Sequence, residues 1–89
     1  MPIRLTDERW QHIFEEHPEL EGKEDEVLQT IEMPEKIYEG KDGELIATRE
    51  IEPGKLIVVV YKELDLEGFI ITAFYTRRLR SFQRRKQIW

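Results

Sequence analysis

Leu56-Ile57-Val58-Val59-Val60-Tyr61 is the longest apolar run in the chain, and how it is read decides the fold. Four of its six residues are β-branched, which favours a pleated strand. No polar residue alternates with the apolar ones, so both faces of the strand need cover, and this predicts a central position in a sheet. The run is far too short to span a bilayer, which takes about 20 apolar residues in a helix. Working outward, Asp42-Gly43, Pro53-Gly54 and Glu67-Gly68 are turn signals. Pro-Gly suits the two central positions of a type II turn, and Asp-Gly a type I′ hairpin. Strands are therefore expected over 36–39, 44–51, 56–64 and 69–77. The short connections between them allow only antiparallel neighbours, a meander.

The N-terminal third has a different period. Thr6 precedes Asp7-Glu8, a hydroxyl cap followed by two acids where the helix dipole favours them. Trp10, Ile13, Phe14 and His17 then fall on one helical face, and Pro18 disfavours helical backbone at His17. A second helix is expected over 24–33, with Val27, Leu28 and Ile31 as its apolar stripe and Pro34 closing it. The expected fold is α+β: two N-terminal helices packed on a four-stranded antiparallel meander sheet, with a basic C-terminal tail. With 89 residues it forms a single domain, 1–89.

Composition narrows the chemistry. There is no cysteine, which excludes disulfides, thiol catalysis and thiolate metal sites. His12 and His17, five residues apart on a helix, diverge by about 140° and make no helical metal pair; no metal or other cofactor is expected. One serine, Ser81, in a basic stretch gives no basis for a Ser/His/Asp hydrolase. Met1-Pro2-Ile3-Arg4 lacks the apolar stretch of a signal peptide, so the expectation is a cytoplasmic protein with no membrane partner.

The net charge of −5 is a sum over two unlike halves. Residues 1–52 carry 16 acids against 6 Lys/Arg, a balance of −10; residues 53–89 carry 3 against 8, a balance of +5. The last fifteen residues hold six basic side chains and no acid. Such asymmetry either attracts phosphate to one region or neutralises itself across a helix–sheet surface.

Several polar groups interrupt the apolar pattern. His17 ends the first helix, where it serves as a proton donor or acceptor or simply as a C-terminal cap. Arg49 shares strand parity with Leu45, Ala47 and Ile51 and either clamps a phosphate or pairs with a local glutamate. Thr72 and Thr76 share a parity in the last strand, and their hydroxyls can position a phosphate. Lys62, Arg77, Arg78, Arg84, Arg85 and Lys86 are the cations available to a nucleic-acid backbone, or a solvated basic surface.

The segment from Arg9 to Leu20, containing His17-Pro18-Glu19, resembles the opening of small phage- and mobile-element-associated proteins. The runs Leu56 to Lys62 and Gly68 to Thr76, and the closing Ile88-Trp89, are similar to later segments of the same proteins, in the same order and over nearly the whole chain. Those proteins are grouped with the Barnase–EndoU–colicin–RelE-like (BECR) nucleases; more distantly, the layout resembles the RelE-like toxins of the BrnT type. The resemblance implies a metal-independent endoribonuclease: the ribose 2′-OH attacks its own phosphate, giving a 2′,3′-cyclic phosphate and a 5′-hydroxyl. By position it implies His17 as general acid/base, Arg49 stabilising the phosphate, and Thr72 and Thr76 positioning it, with Lys62, Arg77 and Arg78 on the RNA backbone. It also implies an RNA partner and a protein antitoxin; a separate reading is a purely structural interaction domain, a homodimer through the apolar sheet edge. The alternative is a catalytically inactive RNA- or protein-binding module of the same fold, in which Arg84, Arg85 and Lys86 supply salt-dependent affinity.

Overall fold

The computed structural model describes residues 3–64, 67–78 and 85–89. The element order is β1 (Ile3–Arg4), α1 (Asp7–Glu16), a 3-10 turn (Pro18–Leu20), α2 (Glu24–Glu32), β2 (Lys36–Glu39), β3 (Leu45–Glu52), β4 (Lys55–Leu64), β5 (Glu67–Thr76) and β6 (Lys86–Gln87). Thr6 caps α1 as its hydroxyl promises, accepting a hydrogen bond from the Arg9 amide at 3.1 Å. The helix ends at His17, whose amide donates to the Ile13 carbonyl before Pro18 starts the 3-10 turn. Gly43 and Gly54 take positive φ at +83° and +78°, the left-handed backbone that their turns require.

The sheet corrects the expected four-stranded antiparallel meander. Among the described residues it has six strands in the order β1-β5-β4-β3-β2-β6 and is mixed, because β1 runs parallel to β5. The four central strands are the expected ones and pair antiparallel as β2-β3-β4-β5. The two additional strands are two residues long and leave no alternation to read. Part of the basic tail is thus an edge strand, with Lys86 opposite Glu39 and Gln87 opposite Tyr38. Glu67-Gly68 is also not a turn but the start of β5. Gly68 is required there by crowding, since a Cβ would lie 2.7 Å from both Ile3 Cδ1 and the Lys62 carbonyl oxygen.

The apolar run sits third of six strands, and Ile57, Val58 and Val59 are fully buried. Its alternate residues serve two cores. Ile57, Val59 and Tyr61 join Ile13, Leu20, Val27, Ala47, Ile70 and Ala73 beneath the helices. Val58 joins Tyr38 and Ile46 in a second cluster on the opposite face, with Leu56, Val60 and Phe74 against it. A bulge between Val60 and Tyr61 shifts the β4–β5 register. By strand alternation Thr72, Phe74 and Thr76 share the second face while Ala73 and Tyr75 face the helices. Among the described residues no helix is long and apolar enough to cross a membrane.

Candidate functional site

The strand register separates the residues expected to act together. Arg49 is opposite Ile57, which is opposite Tyr75, so these three form one row on the helix-packed face. Thr72 and Thr76 are opposite Val60 and Leu56 on the other face. Among the described residues Arg49 Nη1 is buried with no hydrogen-bond partner, so no local glutamate meets that nitrogen.

His17 lies at the β5 edge, where no further strand pairs beyond Phe69 among the described residues. Its ring is tilted against Phe74 with centroids 5.8 Å apart. Nδ1 is 3.6 Å from Glu19 Oε1, an ion-pair distance that is long for a hydrogen bond. With that nitrogen turned to the carboxylate, Nε2 is the one left to exchange a proton with a ligand. His17 and Thr72 line a shallow groove with Arg9, His12, Ile71 and Phe74. His12 is tied to Glu16 at 2.9 Å on the exposed helix face. Of the four expected catalytic residues, the structure therefore brings His17 and Thr72 together, and neither Arg49 nor Thr76 lines that groove.

A second and larger cavity, about 640 Å³, opens where the 3-10 turn and α2 meet the start of β4 and the end of β5. It holds Thr76 and Arg77 from the expected set, together with Lys23, Lys55, Glu26 and Tyr75. The Tyr75 hydroxyl donates to Glu26 Oε1 at 3.0 Å, and the Lys55 ammonium stands 4.7 Å from the Tyr75 ring centroid. Burial pushes the Tyr75 phenol up to about 12, reinforced by the hydrogen bond to Glu26 and by the charges of Glu26 and Glu19. Arg77 is 3.4 Å from Glu52. Lys23 and Lys55 have no carboxylate within ion-pair reach among the described residues, so both are available to an anion. Glu19 links the two depressions, lining the cavity while facing His17.

The remaining expected cations are scattered. Lys62 is opposite Phe69 at the far end of β4, seven residues or about 23 Å from Lys55. Arg85 and Lys86 are exposed at the β6 edge, and Arg78, whose amide donates to Thr76 Oγ1, follows β5. Arg84 lies outside the described residues.

Lys55, Tyr75 and Glu26 were not expected at a site. One signal for Tyr75 was available: it shares parity with the core residue Ala73, and an inward phenol needs a hydrogen-bond partner. Lys55 reaches the end of β5 because its neighbour Leu56 pairs with Thr76, a register the sequence does not reveal. No family model, no curated protein and no solved structure matches this chain.

Proposed function

We propose that the protein is a small, toxin-like, metal-independent endoribonuclease whose phosphate subsite is the cavity of Lys23, Lys55, Thr76 and Arg77. The observation that carries the reading is the pair of lysines without carboxylate partners beside a hydroxyl and a guanidinium, in a cavity sized for a nucleotide. Cleavage by the 2′-OH gathers negative charge on the phosphate as the pentavalent arrangement forms. Preorganised cations at that point lower the barrier without a metal. Proton transfer falls to His17, whose Glu19 partner reaches the same cavity and orients the ring. Thr72 stands beside His17, and Arg49 lends its charge from the row behind Tyr75. A protein partner acting as antitoxin is part of this reading.

One observation favours a second reading, a catalytically inactive RNA- or protein-binding module. Arg49 and Thr72 occupy opposite faces of the sheet, so the cation and the hydroxyl implied by the resemblance do not converge. Incubation of the purified protein with structured and unstructured RNAs in EDTA separates the two. Cleavage leaving 2′,3′-cyclic phosphate ends, lost in His17→Ala and reduced at least tenfold in Lys55→Ala, supports the nuclease. Salt-sensitive binding with intact RNA supports the module.

A further inference from the structure

A third depression lies between α2 and the β1 side of the sheet, about 470 Å³, with Ile3, Leu28, Ile31 and Tyr61 as its apolar floor. Its polar lining is Glu32 and Glu63, both exposed, and no basic residue among those described lines it. Neither carboxylate has an ion-pair partner among the described residues. The rim field reaches the floor: burial first, and then the charge of Glu63, raise the Tyr61 phenol. Leu28, at 37% exposure, is left half uncovered on the helix.

The opposite edge of the sheet carries the complementary chemistry. Ile88 and Trp89 follow β6 with 45% and 62% of their surface exposed, large values for apolar side chains. Arg85 and Lys86 stand just before them, separated by Gln87, exposed and without carboxylate partners among the described residues. The backbone of Ile88 and Trp89 is held by hydrogen bonds to Ile37 on β2, so the pair is presented in a fixed place. The groove's sheet residues Tyr61 and Glu63 are on β4, three strand spacings or about 14 Å from β6, and a tail paired to β2 does not reach the groove of its own molecule.

We propose that the acidic-rimmed groove over Leu28, Ile31 and Tyr61 receives the Ile88-Trp89 end of a second copy of this chain, with Arg85 and Lys86 of that copy against Glu32 and Glu63. The groove and the tail are different surfaces, so two copies either exchange tails reciprocally in a closed dimer or join head to tail with one groove and one tail left unfilled. The head-to-tail arrangement continues beyond the dimer unless it closes into a ring. A five-residue tail buries less than a standard interface, which puts each contact in the weak range, with Kd about 10⁻⁴ M. Screening of the rim charges weakens it further as salt rises. This inference does not depend on RNA cleavage and is read without it.

Sedimentation equilibrium of the full chain, from about 10 μM to 1 mM at low salt, supplies the test. The expected result is a weight-average mass that rises with concentration to the dimer or beyond and falls back toward the monomer in 0.5 M NaCl. Trp89→Ala and the double variant Glu32→Lys, Glu63→Lys should each be monomeric, with unchanged circular dichroism. Mixed in equal amounts, the two should form a heterodimer and nothing larger, since together they hold one intact groove and one intact tail. A monomeric wild type at 1 mM overturns the proposal, as does association that survives both variants or a mixture that stays monomeric. Should the lysine variant misfold, Glu32→Gln with Glu63→Gln takes its place and must weaken association at least threefold.

Discussion

Tyr75 and Arg49 occupy one row of the sheet and pose opposite electrostatic problems. Tyr75 is satisfied: its hydroxyl meets Glu26, and the neutral phenol is favoured up to about 12. A phenol pKa raised in the folded state above its ordinary value of 10 contributes stability that is fully present below pH 10. That contribution is lost as pH climbs from 10 through about 12. Denaturant melts across this window should show the loss in the wild type and a flatter profile in Tyr75→Phe. At neutral pH the same variant should be less stable by about 1 kcal/mol, the net value of a hydrogen bond to a partly exposed carboxylate. Arg49 is not fully satisfied, since its Nη1 is buried without a partner among the described residues. Replacing a half-buried guanidinium with one buried, unpartnered nitrogen by a similar apolar volume removes part of a desolvation penalty. Arg49→Met should therefore leave stability unchanged or raise it by about 1 kcal/mol in chemical denaturation. A fall of about 2 kcal/mol would mean that the rest of the guanidinium is well paired.

At the scale of elements, Gly68 shows where pattern reading ends. Glu67-Gly68 has the composition of a turn, yet the glycine is buried within β5 between Ile3 and the Lys62 carbonyl. Gly68→Ala should cost about 1–3 kcal/mol, because backbone and not only a flexible side chain has to move; a thermal melt matching the wild type would contradict that crowding. The long elements were legible because each carries its own periodicity: the α1 face of Trp10 and Ile13, and the uninterrupted run of β4. β1 and β6 were not, since their evidence is long-range pairing to β5 and β2 rather than local pattern. The site divides along the same line. His17 was visible as a histidine at a helix end before proline, and Thr76 and Arg77 as polar residues closing a strand. Strand alternation sets Thr72 and Thr76 on one face and Tyr75 on the other, while the bulged β4–β5 register decides which β4 residues each of them meets. Lys55 entered the site by that same register.

For the whole molecule, the split of charge matters more than its sum. The excess of acid over residues 1–52 includes α1 and α2, while the cations of 53–89 are spread between the Lys55–Arg77 end of the sheet, Lys62 at the other end and the β6 edge. RNA held at the cavity thus makes few phosphate contacts, about three with Lys23, Lys55 and Arg77. Its affinity should fall roughly 10- to 20-fold between 50 and 200 mM salt, a shallow dependence at a slope near 0.7 per single-strand contact. A much steeper slope in fluorescence anisotropy would mean that the scattered cations also engage. The most direct measurement is an amide-resolved NMR titration of the full chain with a short RNA made uncleavable by 2′-deoxy substitution. Shifts centred on Lys23, Lys55, Tyr75, Thr76 and Arg77, extending to His17 and Glu19 and abolished in Lys55→Ala, are the predicted result. Shifts confined to Arg85 and Lys86 at the β6 edge, or none at millimolar RNA, would contradict a phosphate site in this cavity.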